Sequence, residues 1–458
     1  MPKWNKPGPL QAAVDGPAAT PRRRTESSVV KASLDSDPRV DRVAGADPWL
    51  AASLTDDLFE TRFLWSSDCG RLRFAALGEK HRVPYHSLGP SVEESARELD
   101  LRGDLASHLP LALFVLGETD QRPRAFDRGE AETHARCWTP QVLLLQEGNG
   151  VQVFCPDEAL RHEVVRRLEG TRNGYRAASA FAGCEPKLRE TPLDSRETWC
   201  ERVETALETI DHSPLEKVVV SRRLEFEPER MRLSPRASTW HVSHAEARTA
   251  FSISTDSGES CFIAATPETL LQVRNGTLIT HALAGTRPRD ASLEDFLASS
   301  KLTREHEFVS DGMVGNLAPY IQNMQPGALR VRRSGSVSHL ETPLSGDLRS
   351  DAEPLDVLSV LHPTAAIGGW PRQDAQEALQ QIEPYSRGWF AAPVGWIAAN
   401  GDMHAAIAIR SLWVTQERAV ALAGAGIVKG SVANDEWAET EDKFDNMRAA
   451  LRGQIIAE

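Results

Sequence analysis

None of the six cysteines (Cys69, Cys137, Cys155, Cys184, Cys200 and Cys261) stands at C-x-x-C spacing from another. That argues against a zinc site or a disulfide framework as the organising device. Reduced thiols in a cytoplasmic protein are the simplest expectation. No apolar run approaches the ~20 residues that span a bilayer, so no membrane partner is expected. A basic surplus is missing too. Against 52 basic residues stand 65 acidic ones, for a net charge of −13, which argues against a general nucleic-acid binder. The N-terminus lacks the apolar stretch of a secretory signal. Residues 1–38 are instead rich in Pro, Ala, Ser, Thr and Arg, including Pro21-Arg-Arg-Arg24, and read as a disordered tail.

What is present is length and sheet-like patterning. A chain of 458 residues is ample to bury a substantial core. Residues 39–195 read as scaffold. Leu111–Leu116 and Gln141–Gln146 look like buried strands, Glu147-Gly-Asn-Gly150 turns into Val151–Phe154, and Pro156–Leu168 has helical spacing. No constellation of catalytic residue types occurs there, and 171–195 reads as a connector. Residues 196–458 carry the rest. A helix over Arg196–Ile210 precedes a strand over Lys217–Phe226. Strands follow at Ser260–Ala265, Thr269–Val273 and Thr277–His281, with bends at Thr266-Pro267-Glu268 and Ala284–Pro288. A helix is predicted over Ser300–Ile321, and further strands over Pro393–Ala398, His404–Trp413 and Ala419–Ala423. Leu422–Ser431 reads as a strand running into a Gly-rich turn, and a closing helix starts near Asn434.

Several charges sit where charge is costly. Lys217 opens an apolar strand, as a solvated edge charge or, if buried, a candidate base. Glu305 shares a helix face with Phe308, Val309 and Gly312, which leaves metal ligation or a buried ion pair. Arg410 lies inside an apolar strand and needs a carboxylate or ligand to answer it. In the closing helix Glu436, Glu439, Thr440 and Lys443 fall beside the stripe Trp437, Phe444, Leu451. Taken alone, that side fits a surface Glu439–Lys443 pair worth about 0.2–0.5 kcal/mol as well as it fits a site. Glu268 alone reads as a surface turn residue.

The ordered set is more specific. Lys217-Val-Val-Val-Ser-Arg222, Ala265-Thr-Pro-Glu268, Leu283-Ala-Gly-Thr286 and Glu305-His-Glu-Phe-Val309 occur in that order. His362-Pro-Thr364, Ile409-Arg-Ser411, Ala423-Gly-Ala-Gly-Ile427 and Glu436-x-x-Glu-Thr-x-x-Lys443 follow. This resembles the chorismate-utilising enzymes: isochorismate and salicylate synthases, anthranilate synthase large subunits and aminodeoxychorismate synthases. The motifs cover about residues 199–452. The resemblance implies an α+β fold, with large antiparallel sheets packed as a core and helices outside. It implies chorismate as substrate and Mg²⁺ as cofactor, with Glu305 and Glu439 as metal ligands assisted by Glu436. Arg410 and the Gly424 and Gly426 amides would hold the enolpyruvyl carboxylate, Lys443 would lie near the metal-bound one, and Gly285 and Thr286 would belong to a loop closing over the ring.

The resemblance also points to a branch. Members that add water carry a lysine at the position of Lys217 as general base, where ammonia users carry glutamine. Aminodeoxychorismate synthases place a nucleophilic lysine where this chain has Ala284. Salicylate synthases typically have Phe-Pro-Ala where His362-Pro-Thr364 stands, and a tyrosine in the Arg387–Phe390 segment. The expectation is therefore an isochorismate synthase, an isomerase with Lys217 as base and Glu268 as acid, acting as a monomer or homodimer. Its product would serve menaquinone, a catechol siderophore or salicylate. A salicylate synthase, or a non-catalytic binder of an anionic metabolite, is the alternative. Against the binder stands the complete set Lys217, Glu268, Glu305, Glu439 and Arg410.

Overall fold

Alternation explains the strand that begins at Lys217. Val218 and Val220 turn one way and bury against Trp199 and Val203 of the helix Arg196–His212, and against Ala375 and Leu379 of the helix Arg372–Ile382. Lys217 and Val219 turn the other way, because successive side chains of a strand point to opposite faces. The computed structural model describes residues 40–53, 55, 57–67, 72–82, 109–117, 135–170, 187–230, 232–243, 245, 247–334 and 337–451. The expected N-terminal tail lies outside the described residues, as does residues 171–186 of the expected connector.

Two antiparallel sheets form the core. Among the described residues the larger has twelve strands, and Lys217–Pro228 lies between Ala419–Val428 and the short Gly369–Trp370, with Leu188–Pro192 pairing further along it. The smaller has ten and runs from Ile321–Pro326 through Val337–Leu348, Thr277–Pro288 and Thr269–Arg274 to Met403–Ile407 and Pro393–Ile397, ending with Ala112–Val115, Arg136–Thr139 and His81–Arg82. Strands from before and after residue 195 share both sheets. The sheets meet through aromatic rings. Phe63 of the first lies 5.9 Å from Trp138 of the second, edge to face, and Trp65 lies 5.1 Å from the buried His404. Helices cover the outside. Phe444, Met447 and Leu451 of the closing helix Ala433–Leu451 bury with Leu224, Phe226 and Ala421 of the larger sheet.

The expected α+β class with antiparallel sheets and outer helices is the observed one. Four local expectations differ. His404–Trp413 is two strands, Met403–Ile407 in the smaller sheet and Ser411–Val414 in the larger, so Arg410 sits between strands. An unbroken apolar run conceals a change of sheet, because both halves are buried. The helix expected to reach Ile321 ends at Leu317, and Ile321 opens a strand. Ala284–Pro288 is no bend: Thr277–Pro288 is one strand with a register shift between Ala284 and Thr286, where Gly285 takes φ +73°. A bulge of this kind favours glycine because the left-handed region is costly for a side chain. Gly424 and Gly426 lie inside the strand Ala419–Val428, and the turn comes after it, at Gly430 with φ +89°.

Two chain crossings define the site. Cys261–Thr266 belongs to the larger sheet and Thr269–Arg274 to the smaller, so Pro267 and Glu268 carry the chain across. Ala408–Arg410 carries it back. The crossings are tied: the Ile407 N–H donates to the Glu268 carbonyl at 3.0 Å, and the Ala265 N–H to the Arg410 carbonyl at 3.4 Å.

The helix Ser300–Leu317 offers a test of its packing. A Cβ on exposed Gly315 meets nothing within 4 Å, whereas one on buried Gly312 would lie 3.1 Å from the Trp370 ring. Gly315→Ala should raise stability by up to about 1 kcal/mol, the helix-propensity difference. Gly312→Ala should give no such gain, since it presses on Trp370. Thermal unfolding of both variants checks the contrast, and equal gains would contradict the packing described.

Candidate active site

Beside the crossings lies a cavity of about 60 Å³. Glu268, Gly285, Thr286, Glu305, Arg410, Gly424, Gly426, Glu439 and Lys443 line it together. A second compartment of about 50 Å³ shares Val219, Arg410, Gly424 and Lys443 with it, and adds Phe390 and Arg387. The structure thus brings together nine of the residues singled out from sequence. Lys217 and Glu436 stand just behind the wall. Lys217 is fully buried and its Nζ donates to Glu305 Oε1 at 2.9 Å. Glu436 lies one helical turn before Glu439, and its carboxylate accepts from Lys301 Nζ.

Glu268 is a strongly perturbed acid of the cavity. It is 7% exposed, and burial pushes its carboxyl up to about 7, although Arg410, Lys217 and Lys443 pull in the other direction. Burial opposes the charged form of a carboxyl, and the nearby cations restore only part of the loss. For Arg410, burial brings the guanidinium down to about 10, with Glu439 and Glu268 as the nearby negative charges. Its terminal nitrogen lies 3.3 Å from His339 Nε2, and its Nε is buried without an acceptor among the described residues. Arg410 also takes φ +52°, a conformation uncommon outside glycine and one often held at functional sites.

The Ala423–Ile427 glycines act through close approach. A Cβ at Gly426 would lie 2.5 Å from Glu305 Oε1 and 3.0 Å from Lys217 Cε. Val219 N–H donates to the Gly368 carbonyl and Ser221 N–H to Glu383 Oε1, both away from the paired strand. Val219 faces Gly426 and Ser221 faces Gly424, so these are non-hydrogen-bonded pairs and the N–H groups of both glycines also point outward from the pair. The neighbouring Ser411–Val414 strand pairs only with residues 419–421 and does not cover them. The Gly424 carbonyl accepts from Lys443 Nζ at 2.7 Å.

The two candidate metal carboxylates, Glu305 and Glu439, reach the cavity from different helices. Each is answered by a lysine, Glu305 by Lys217 at 2.9 Å and Glu439 by Lys443 at 2.6 Å. Burial works to raise the Glu439 carboxyl, but Lys443 and then Lys301 hold it below the usual range. Glu436 differs: burial raises it, Lys301 offsets part of that, and Glu439 adds to the rise. Among the described residues no three His, Cys, Asp or Glu side chains cluster as a metal cage. Two carboxylates beside a cavity fit Mg²⁺, which takes few protein carboxylates and keeps positions for water or ligand oxygens.

His339 and Lys301 escape a reading of the sequence. His339 is buried in the strand Val337–Leu348, with Nδ1 3.1 Å from the Gly285 carbonyl and 3.3 Å from Thr286 Oγ1. Burial, then Arg410 and Lys443, bring it down to about 3, so it is a neutral ring. Only the alternation of Val337-Ser-His-Leu340 in sequence could have placed it on a buried face. For Lys301 no signal was available, since its partner lies 135 residues away.

The profile of the chorismate-binding enzymes matches residues 39–452. The salicylate biosynthesis isochorismate synthase of Pseudomonas aeruginosa is 30% identical over 372 residues, 75% of each chain. Isochorismate synthase MenF of Bacillus subtilis is 33% identical over 276 residues, 57% of this chain and 56% of that one. Among solved structures, DhbC of Bacillus anthracis superposes with a TM-score of 0.65 at 25% identity, covering 88% of this chain and 99% of its own. The fold is that of the chorismate-utilising enzymes. The chain belongs to the chorismate-binding enzyme family. No helix among the described residues is long and apolar enough to cross a membrane.

Glu268 gives a stability test. Its folded value, near 7, lies above the ordinary 4.5, so the native state holds a proton that the unfolded state releases. The stability linked to that proton is full below about pH 4.5 and is lost as pH rises through 7. Glu268→Gln removes the titration. At pH 8 it should stabilise the protein by up to about 3 kcal/mol relative to the parent, and at pH 5 by clearly less. Denaturant unfolding at the two pH values reads the difference, and an equal offset at both would contradict the buried, protonated acid.

Proposed function

We propose that this protein is an isochorismate synthase, converting chorismate to isochorismate by adding water at C2 of the ring and losing the C4 hydroxyl. The observation that carries the reading is a buried acid, Glu268, lining a cavity with the guanidinium of Arg410, while a buried amine, Lys217, stands behind the same wall against Glu305. Relatives named isochorismate synthases support it. Ala284 leaves no amine to attack the ring, and Phe390 puts no hydroxyl in the second compartment.

Each residue has a task. Neutral Lys217 takes a proton from water as the oxygen bonds to C2. The ring double bonds shift, and protonated Glu268 gives its proton to the departing C4 hydroxyl, which leaves as water. Return of the proton from Lys217 to Glu268 closes the cycle. As folded, Lys217 Nζ donates to Glu305 as an ion pair, so the ammonium leaves that contact and gives up a proton to solvent before the amine acts as a base. The raised Glu268 carboxyl suits an acid at neutral pH. Arg410 and the outward N–H groups of Gly424 and Gly426 would hold the enolpyruvyl carboxylate, a guanidinium being suited to two-point grip of such a group. Glu305 and Glu439 would hold Mg²⁺, with Glu436 assisting from behind Glu439, and the bound ion would neutralise the ring carboxylate. Lys443 would lie beside that carboxylate, and Gly285 and Thr286 would form the wall over the ring.

Incubation with chorismate, with and without Mg²⁺, followed by chromatography tests the proposal. Isochorismate without pyruvate is expected. Salicylate with pyruvate would mean a salicylate synthase, and no conversion would mean a binder of anionic metabolites. Lys217→Ala and Glu268→Ala should each lower kcat by at least about 100-fold with the fold intact, the scale of acid–base assistance. In the parent kcat should fall as pH rises past about 7, where Glu268 loses its proton. Near-parental turnover by either variant would remove its assigned role. Glu305→Ala should blunt the response to Mg²⁺ titration, and a parental response would exclude it as a ligand.

A further inference from the structure

One cluster of charge next to the cavity has no part in the reaction as described. In the strand register Thr286 faces His339, and His339 in turn faces Arg332 of the edge strand Arg330–Ser334. Side chains opposite one another in a ladder share a face, so Arg332 stands in the row whose other two members line the cavity. Two residues along, Arg330 faces Glu341. Glu341 is 1% exposed and accepts from Arg330 Nε at 2.7 Å and from Arg248, with His281 Nδ1 at 3.2 Å. Two guanidiniums and an imidazole thus share one carboxylate, and the charge of Arg332 is felt by both Arg248 and His281, on a chain whose net charge is −13. Arg332 has a buried Nε with no acceptor among the described residues. Arg330 is 55% exposed at its side chain while Arg248 is 13% exposed, so the cluster leads from solvent inward.

Charges on an edge strand commonly serve to block pairing with other chains. That role does not require Arg248 and Arg330 to converge on a buried carboxylate, nor Arg332 to turn to the cavity side. Positive potential is also felt nearby: burial, with Arg248 next, brings His281 down to about 4.

We propose that Arg332, with Arg330 and Arg248, forms a positively charged approach that draws a small dianion toward the Thr286–His339 side of the cavity. The inference rests on the reading above that the substrate is chorismate, which carries two carboxylates. A local patch of one sign concentrates oppositely charged ligands, and salt screens the effect. Arg332 acts here as a positioning residue and takes no part in bond making.

The test compares Arg332→Gln with Arg333→Gln. Arg333 is exposed and next in the strand, so it points to the opposite face and removes the same charge. KM and kcat for chorismate are measured from ~25 mM to ~500 mM salt, spanning strong and weak screening. Arg332→Gln should raise KM about fourfold at low salt, the effect of one charge about 10 Å from a dianion in water. Its kcat should be unchanged, and its KM should converge on the parent's at high salt. Arg333→Gln should track the parent, and Arg332→Lys should restore the low-salt KM. A KM that rises equally in both Gln variants, or that stays raised at high salt, would overturn the proposal. If the parent turns over no chorismate, the reaction reading has failed by itself. Calorimetric Kd values for chorismate with the same proteins then test the approach by the same criteria.

Discussion

Everything at this site depends on two short crossings between sheets. Glu268 and Arg410 are neither strand nor loop residues in the ordinary sense. Each sits in the two or three residues that take the chain from one sheet to the other, and the crossings hydrogen-bond to each other at Ile407–Glu268 and Ala265–Arg410. Strands of both sheets flank the crossings and most residues there are buried, so the crossings have little freedom. That rigidity lets an acid and a cation be held in one cavity without direct pairing. A flexible loop would let them collapse into a salt bridge, which would lower the acid's pKa and remove it as a proton donor.

Around this pair the other charges are arranged by element. The closing helix brings Glu439 and Lys443, the helix Ser300–Leu317 brings Glu305, and the strand Lys217–Pro228 brings its lysine. Buried charges cost more than their attraction returns unless geometry is close. Here Lys217–Glu305 and Lys443–Glu439 meet that condition at 2.9 and 2.6 Å. Arg222 secures the helix that carries Glu439. It is fully buried, lies 3.6 Å over the Trp437 ring and 4.8 Å from that of Phe444, and donates to Thr440 Oγ1 at 2.7 Å. The stripe that looked like ordinary packing thus fixes the charged face beside it.

The sequence carried more of the site than of the route by which the chain reaches it. Charge inside apolar patterning exposed Glu305 and Arg410, and the ordered motifs linked them to Glu268, whose local pattern reads only as a turn. The sheet change between Ile407 and Ser411 left no mark, because a buried strand in either sheet has the same apolar composition. Gly285 shows the same limit: a glycine before Thr-Arg-Pro reads as a bend, while the structure uses its positive φ for a bulge within a continuous strand. His339 and Lys301 were invisible for a different reason, since their contacts come from residues 54 and 135 positions away.

Strain and unmet bonding coincide at one point of the fold. Arg410 has φ +52° and Ala391 φ +64°. The two are close neighbours: the Ala391 N–H donates to the Ala408 carbonyl, two residues before Arg410, and the Ala408 N–H to the Ala392 carbonyl. Left-handed backbone at a non-glycine residue costs roughly 1–2 kcal/mol, and an unsatisfied buried donor adds to that. Neither improves the empty protein. A sequence shaped for stability alone would place glycine at both positions and an apolar residue in place of the guanidinium. Local rules broken together, with no gain in the free chain, are the mark of a site completed by a ligand. The arrangement suits a ligand that accepts hydrogen bonds and carries negative charge, since Arg410 offers donors and positive charge beside carboxylates already paired with Lys217 and Lys443.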